Sequence, residues 1–357
     1  MRPWLHKEAV QSLHSSQPMQ TRLLLRRLLQ LAGDLSSSET LEAEIHKAIS
    51  ATLAHYVYGY EAEPHGDPLL LDLKEATKNF VAAALPSNFM VNLFPTLMHI
   101  PAWFPGAGWK RTAQQWREQK EHAIDAVHDW TKRQMATGEC VSSMVSSLLN
   151  DSEHLGLDPE ELDDYVKQLA VTMFVGLLAG PDTIASTLVV FVLAMLLFPD
   201  IQKRAQQEID AVIGLDRLPV MDDKTNLKYI NRLIEEVLRW QPIAPLGGPH
   251  ACSQDDVYQG YHIPKGTVVF ANVWAMTRDT STYSDPKRFE PDRYLDPNVP
   301  YAPAFGFGRR MCPGMHYAKA SLFLTISSVL AVFDIALAKD SDGKDQIPEL
   351  KSANQVP

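Results

Sequence analysis

A single cysteine, Cys312, lies in a glycine-framed loop beside cationic side chains, a setting suited to binding a metal. The loop reads Phe-Gly-Phe-Gly-Arg-Arg-Met-Cys-Pro-Gly over residues 305–314. A thiolate is a soft ligand that suits iron, and Arg310 can donate charge-assisted hydrogen bonds to an anionic group beside it. We expect Gly308 and Gly314 to permit positive φ and a close approach of the backbone to a large ligand. The alternative is that Cys312 is a small buried hydrophobe, as free cysteines commonly are.

An acid and a hydroxyl lie side by side in the most apolar part of the chain. Residues 169–198 contain one charged side chain, Asp182, which Pro181 precedes and Thr183 follows. Hydropathy alone nominates a transmembrane helix, but an acid and a proline at its centre favour a kinked helix in the protein core. Because Pro181 cannot donate a hydrogen bond to the carbonyl of Leu177, we expect the helix to bulge there.

Asp182 and Thr183 are also suited to hydrogen bonding and proton relay, provided that they are buried beside a reacting centre. The alternative is that Thr183 bonds to its own helix while Asp182 caps a helix or pairs elsewhere. Glu236 and Arg239, spaced i, i+3 on a predicted helix, are close enough to pair, although isolated pairs of this kind are mostly solvated. His250 can donate to an anion, or it is a core histidine whose hydrogen bonds are satisfied.

The elements that must position these residues are mainly helical. Apolar side chains recur at three-to-four spacing over residues 21–31, 40–53, 109–135, 159–198 and 201–213, and another helix is predicted over 315–338. Asp158 and Asp200 are predicted helix caps. Between residues 255 and 274 the pattern alternates around a turn at 264–266, which predicts a small sheet. Prolines then predict an irregular meander over residues 285–303, leading into the cysteine loop.

Composition limits the class of protein. The 357 residues are 45% hydrophobic, enough for a sizeable core, and we expect one domain over residues 1–357. The formal charge of -10, from 33 basic and 43 acidic residues, argues against a nucleic-acid partner. Three cysteines without metal-site spacing fit a reducing compartment, and residues 1–30 lack a signal-peptide pattern. The apolar residues 86–109 are predicted to touch a membrane, line a substrate entrance or pack under neighbouring helices.

These motifs together resemble the cytochrome P450 family. Residues 179–183, Ala-Gly-Pro-Asp-Thr, resemble its oxygen-activating helix motif, with Ile184 where a second threonine is common. Residues 236–239 and 289–294 resemble its Glu-x-x-Arg helix and its Phe-x-Pro-Glu-Arg-Phe segment. The resemblance covers essentially the whole chain and is closest to eukaryotic microsomal, fungal members. Five residues fill every fixed position of the family's haem-binding pattern Phe-x-x-Gly-x-Arg-x-Cys-x-Gly: Phe305, Gly308, Arg310, Cys312 and Gly314.

The resemblance implies that the cofactor is haem b, iron protoporphyrin IX. Cys312 would be the iron ligand, and Phe305 would pack on the macrocycle near the sulfur. Gly308 and Gly314 would let the backbone approach the haem. Arg310 and His250 would hold the propionates.

The resemblance also assigns the remaining motifs. Asp182 and Thr183 would manage the protons that the reductive activation of dioxygen consumes. Glu236, Arg239 and Arg293 would form a buried structural network that fixes the meander behind the cysteine loop. The partners implied are a small apolar organic substrate, O2 and an NADPH-cytochrome P450 reductase, which is a flavoprotein that docks near the Cys312 face; a membrane surface is a further partner.

Some segments that are usual in the family are expected to be absent. Family members begin with a membrane anchor, a proline-rich hinge, a large sheet and helices that roof the haem. This chain would begin in the helix that carries a Trp-x-x-x-Arg motif, with Arg2 as its remnant. The C-terminal hairpin would also be largely missing. The resemblance predicts the endoplasmic reticulum membrane as the location, and the missing anchor predicts the cytoplasm.

The sequence therefore predicts a mainly α protein with the cytochrome P450 fold, a small β-sheet region, and no N-terminal sheet or roof helices. Its predicted activity is that of a haem-thiolate monooxygenase, which inserts one oxygen atom of O2 into an apolar organic substrate. One alternative, motivated by the missing segments, is a catalytically inactive haem-binding or interaction fragment. Another is a peroxide-rearranging relative that needs no reductase, and the presence of Thr183 disfavours it.

Overall fold

The computed structural model describes residues 17–31, 38–63, 66–84, 88–150, 156–176, 179–340 and 342–346. The chain divides into two compact units. Of the residues described, those in His46–Asp182 belong to the first unit, and those in Gln17–Ile45 and Thr183–Pro357 belong to the second. Helices dominate both units, so the predicted mainly α class is confirmed.

The α-helices come first in chain order. They are α1 (Gln17–Leu31), α2 (Ser38–Tyr58), α3 (Pro68–Ala84), α4 (Met90–Leu93), α5 (Gly108–Thr137), α6 (Met144–Asn150), α7 (Pro159–Gly176), α8 (Ala179–Leu197), α9 (Pro199–Val212), α10 (Lys228–Trp240), α11 (Val273–Met276) and α12 (Met315–Val332). Short 3-10 helices span Pro95–His99, Met221–Thr225, Pro291–Leu295 and Gly308–Arg310.

Most predicted helices are found close to their expected bounds, as α1, α2, α5 and α9 show. Asp158 is a cap as predicted, since its carboxylate accepts from the backbone N–H groups of Glu160 and Glu161 at 3.0 and 2.9 Å. Asp200 is not a cap: the N-cap is Phe198, and Asp200 lies inside the first turn. Sequence periodicity did not single out α3. The last helix, α12, ends at Val332 instead of residue 338, because the backbone that follows it is extended.

The predicted small sheet is present as two separate antiparallel strand pairs. The strands are β1 (His250–Ala251), β2 (Asp256–Tyr258), β3 (Tyr261–Ile263) and β4 (Val268–Val269), and β1 pairs with β4 while β2 pairs with β3. The strands that flank the turn at 264–266, β3 and β4, therefore do not pair with each other. The tight hairpin turn is at Gln259 and Gly260, whose φ angles of 50° and 85° suit a two-residue turn between twisted strands.

Residues 159–198 form two helices, α7 and α8, where the sequence predicted one bulged helix. Leu177, whose carbonyl was expected to lose its partner, lies outside the described residues. Pro181 is the third residue of α8, within the first turn, where a missing backbone N–H leaves no helical hydrogen bond unmade. In α8, Ile184, Ala185 and Leu188 are buried, as expected of a core helix.

Within the described part of the chain, α12 is the one helix long and apolar enough to span a membrane by itself. It is 67% buried, so it reads equally well as the core helix of a globular unit. Residues Pro181–Leu197 and Pro199–Val212 pass the same test together, but they are bent by 107°.

The core of the second unit is formed where α10 packs against α12 and α9. Leu233, Val237 and Phe323 are fully buried there. An aromatic cluster of Phe198, Trp240 and Phe289, with ring centroids 5.5–5.8 Å apart, joins the end of α8 and α10 to the meander. This core carries the meander and the start of α12, and so it positions both ends of the cysteine loop.

Candidate haem-thiolate site

The cysteine loop is folded by its own backbone. The N–H of Cys312 donates to the carbonyl of Phe305 at 2.8 Å, and the N–H of Met311 donates to the carbonyl of Gly308 at 3.2 Å. Residues 306–313 are all exposed, and α12 begins three residues after the cysteine. The second unit therefore presents Cys312 at its surface, and the alternative of a small buried hydrophobe does not hold.

Two opposing effects act on the thiol of Cys312. Desolvation by the protein atoms around the sulfur raises its pKa, and a hydrogen bond from the backbone N–H of Gly314 lowers it; the net shift is upward. The same N–H can stabilise a thiolate once a metal cation binds the sulfur and displaces its proton. The N-terminus of α12, with its partial positive charge, lies next to this group.

The glycines of the loop differ from one another in conformation. Gly308 has a φ of 54°, as expected, and a Cβ placed there would meet nothing within 4 Å. Gly314 does not use positive φ: its φ is -81°, because it is the N-cap residue of α12 and its backbone is already turning into the helix. Gly306, which the sequence pattern did not mark, has a φ of 77°. The left-handed positions of the loop are thus Gly306 and Gly308.

Lys319 connects the loop to the core, and sequence reasoning missed it. Its Nζ donates to the carboxylate of Glu235 at 2.6 Å and lies 5.8 Å from the ring centroid of Phe305 and 5.5 Å from that of Tyr301. Lys319 is on α12, seven residues after Cys312. A lysine one turn into the helix that follows the cysteine loop is the signal that could have indicated this contact.

Arg310 and His250 are both exposed on the second unit. Arg310 is at the end of the short 3-10 helix of the loop, and His250 is in β1, opposite Val269. Among the described residues, no side-chain hydrogen bond or ion pair involves either group. Both cationic or donor groups are thus available to an anion, and His250 is not a satisfied core histidine.

The structure brings Glu236, Arg239 and Arg293 together. Glu236 and Arg239 are fully buried, and two nitrogens of Arg239 each donate to a different oxygen of Glu236 at 2.8 Å. Arg293 Nε donates to the same carboxylate at 3.0 and 3.1 Å, and the backbone N–H of Glu290 donates to it at 2.7 Å. Each oxygen of the buried carboxylate is therefore hydrogen-bonded.

The remaining donors of this cluster bind backbone carbonyls around the meander. Arg239 donates to the carbonyls of Thr277 and Pro286 at 2.9 and 2.8 Å, and Arg293 donates to that of Ser284 at 2.7 Å. An irregular segment has few partners for its own backbone groups, and guanidinium donors replace the missing sheet or helix bonds. The cluster thus fastens the meander to α10.

Asp182 and Thr183 follow Pro181 in the first turn of α8, and the division between the two units falls between them. The expected burial of the two side chains is wrong, since both residues are exposed. The reason is that the apolar positions next along α8, from Ile184 on, occupy its buried face. Oδ1 of Asp182 lies 2.8 Å from Nε2 of His46 in α2, a partner that sequence reasoning missed.

The donor set of the loop fits a haem. A single thiolate supplies one ligand to a metal, which suits an iron whose other ligands come from a porphyrin. Among the described residues, no group of three His, Cys, Asp or Glu side chains is placed to hold a metal ion directly. The open space beside Gly308 and the exposed loop leave room for a flat ligand against Cys312.

Comparisons with known proteins agree with this geometry. The family model described as cytochrome P450 matches residues 15–355. The cytochrome P450 monooxygenase claR of Ampulloclitocybe clavipes is 40% identical over 349 residues, which are 96% of this chain and 62% of that protein. Cytochrome P450 monooxygenase 208 of Postia placenta is 42% identical over 308 residues, 85% of this chain and 59% of that protein. The chain thus spans about three fifths of the length of these relatives.

A solved structure supports the fold independently. A zebrafish cytochrome P450, solved with progesterone, superimposes with a TM-score of 0.75 and covers 98% of this chain and 75% of that one. The two sequences are 23% identical, so this likeness concerns the fold alone.

Proposed function

Because the chain belongs to the cytochrome P450 family, we propose that it acts as a haem-thiolate monooxygenase. The reaction inserts one oxygen atom of O2 into a small apolar organic substrate and reduces the other to water. The observation that carries this proposal is the exposed Cys312 sulfur, which is held in a backbone-braced loop with the N–H of Gly314 directed at it. Bound haem supplies the iron centre at which O2 is activated.

The residues of the loop would bind and orient that cofactor. Cys312 would be the iron ligand, with the ring of Phe305 beside it and open backbone at Gly308. Arg310 and His250 would hold the propionates through charge-assisted hydrogen bonds, since neither has a competing ion pair among the described residues. Gly314 would donate its N–H to the coordinated sulfur and so tune the charge on that atom.

Protons would be handled at α8. Asp182 would hold and release a proton at its carboxylate, and its side chain is 53% exposed and therefore in contact with solvent. Thr183 would hydrogen-bond beside it through its hydroxyl. Glu236, Arg239 and Arg293 would keep the meander, and with it the cysteine loop, in place.

The electron donor would be NADPH-cytochrome P450 reductase, docked near the Cys312 face. Arg309 is exposed on this face, and its positive charge would attract an acidic flavoprotein surface and raise the association rate.

A membrane surface is a second proposed partner, through an apolar part of the first unit. Six side chains between α3 and α5 are 48–80% exposed: Met90, Leu93, Phe94, Met98, Trp103 and Phe104. Clustered aromatic and aliphatic side chains at this exposure are typical of a surface that enters the lipid interface. We therefore propose attachment to the endoplasmic reticulum membrane through this cluster.

The reduced carbon-monoxide difference spectrum tests the cofactor. We expect purified protein supplied with haem to show a Soret band at the position typical of thiolate ligation, and Cys312→Ser to lose it. A band at the position of the inactive form, or no uptake of haem, would support the alternative of an inactive fragment.

A separate measurement tests the role of Thr183. Replacing it with Ala should lower the product formed per O2 consumed, because protons would reach the site less reliably. Thr187→Ala is the matched control, since Thr187 is one turn away and donates to the Thr183 carbonyl. Unchanged coupling in Thr183→Ala would count against the assigned role.

A further inference from the structure

A buried histidine contacts the exposed acid of α8. Nε2 of His46 lies 2.8 Å from Oδ1 of Asp182, and Nδ1 lies 3.3 Å from the hydroxyl of Ser50, one turn along α2. The His46 side chain is 10% exposed, whereas that of Asp182 is 53% exposed. His46, Ser50 and Asp182 all belong to the first unit.

The chemistry of the two groups decides which one donates the hydrogen bond between His46 and Asp182. An ionised carboxylate only accepts hydrogen bonds, so Nε2 of His46 must carry the proton and donate it to Asp182. Nδ1 then either accepts from the Ser50 hydroxyl, when the ring is neutral, or donates to it, when the ring is charged. In both states the imidazole is held at both nitrogens, and its orientation towards Asp182 is the same.

The contact matters because an exposed aspartate is otherwise free to rotate. The carboxylate of Asp182 is in the first turn of α8, where its negative charge is favoured by the helix dipole, and its side chain is 53% exposed, so little packing fixes its rotamer. The His46 bond occupies Oδ1, and among the described residues it is the one ion pair that Asp182 makes. A group that moves protons must lie within hydrogen-bond reach of its acceptor, so orientation directly limits its use.

We propose that His46 is a positioning residue for Asp182. Through its Nε2–H it holds the carboxylate in a single orientation, and Ser50 holds the imidazole in turn. The inference rests on the proposed function of Asp182 in proton handling and goes beyond it, because it assigns that acid's partner on a different helix. His46 itself need not exchange a proton during turnover.

The hydrogen bond can be tested without haem or substrate. In protein labelled with 15N-histidine, we expect a resolved Nε2–H signal from His46 that is lost or shifted upfield in Asp182→Ala. Assignment comes from His46→Gln, which removes the signal altogether. If the signal of His46 is the same with and without the Asp182 side chain, the contact does not exist in solution and the proposal is wrong.

Turnover tests the positioning role. Gln can place an amide N–H near the position of the imidazole Nε2–H but cannot titrate, whereas Leu has no donor. We expect His46→Leu to lower the product formed per O2 consumed by about tenfold, the effect of losing one hydrogen bond to a charged group. His46→Gln should retain coupling within about twofold of the parent protein.

A matched control is available in the same unit. His128 is also buried on a helix and also contacts an aspartate, with Nε2 3.0 Å from Oδ1 of Asp163. His128→Leu removes a comparable His–Asp contact away from Asp182. It should therefore lower stability as His46→Leu does, while leaving the product formed per O2 unchanged.

The outcomes are distinguishable from failure of the proposed function. If the parent protein gives no thiolate-type carbonyl spectrum, the monooxygenase proposal fails, and the NMR measurement still decides whether His46 holds Asp182. If the parent turns over and His46→Leu couples as well as the parent, positioning is refuted. If His46→Gln is as impaired as His46→Leu, a donor alone is not sufficient and the positioning role is likewise refuted.

Discussion

Two neighbouring regions of the second unit use charged groups in opposite ways. Glu236 and Arg239 are buried completely, and each oxygen of the Glu236 carboxylate and several guanidinium donors have partners. Around Cys312, residues 306–313 are exposed, and Arg310 has no ion pair among the described residues. The polar groups around Glu236 hold the chain in place, whereas those around Cys312 remain available to a ligand. Stability and ligand binding should therefore respond to different substitutions.

Glu236→Ala should have the largest effect on stability, and it tests the buried cluster in the comparison. It would leave Arg239 buried without its counter-charge, at a cost of about 3–5 kcal/mol in the free energy of unfolding. Urea denaturation of the haem-free protein measures this value. Glu235→Ala is the matched control, because Glu235 is the adjacent residue but pairs with the partly exposed Lys319, and it should lose only about 1 kcal/mol. Equal losses in the two variants would show that the buried cluster has no special role.

Gly308→Ala should have the next largest effect. Alanine at a φ of 54° is strained by about 1–2 kcal/mol, although the added methyl group would meet nothing within 4 Å. Gly248→Ala is the control, since Gly248 has equally open surroundings and no positive φ, and we expect little change there. The two unfolding curves give the comparison. A loss in Gly248→Ala as large as in Gly308→Ala would rule out backbone strain as the cause.

Lys319→Met should have a smaller effect on stability. Lys319 contacts both the helix that carries Glu236 and the cysteine loop, so the substitution tests how far the two regions are linked. The substitution keeps the apolar stem and removes the ion pair with Glu235 and the cation–π contact with Phe305, worth about 1 kcal/mol together. We expect this loss in urea denaturation and weaker haem retention in competition with apomyoglobin. Unchanged haem retention would mean that Lys319 stabilises only the core.

Cys312→Ser should have the smallest effect on the haem-free protein. An exposed loop residue that makes no core contact changes the free energy of unfolding by less than about 0.5 kcal/mol. Calorimetry of the two haem-free proteins measures the difference. A loss above about 2 kcal/mol in the free energy of unfolding would show that the cysteine loop also stabilises the fold, and the distinction between the two regions would fail.

The local patterns with a fixed geometry could be predicted from the sequence. The amphipathic periodicity of α5 and the capping aspartate at 158 each specify a local conformation, and the structure contains both the predicted helix and the predicted cap. The spacing of Glu236 and Arg239 is also local, and one turn of helix necessarily brings such a pair into reach. Arg293 was associated with that pair only through family resemblance.

Other features depend on contacts that the sequence does not encode locally. The break between α7 and α8 falls within residues 169–198, which carry one charged side chain, so no change in polarity marks where one helix ends and the next begins. His46 occupies an ordinary position on a long helix, and its contact with Asp182 depends on tertiary packing. The strand partners also depend on tertiary packing: the strands on either side of the turn at 264–266 each pair with a strand elsewhere in the chain.

The backbone hydrogen bonds of the cysteine loop have a kinetic consequence. Since the Cys312 N–H is already bonded to the Phe305 carbonyl, the conformational entropy of the loop, about 1–2 kcal/mol per residue, is lost when the chain folds and not when the cofactor arrives. Incorporation of haem then resembles docking onto a rigid surface. Its rate should depend on encounter frequency and rise in proportion to haem concentration.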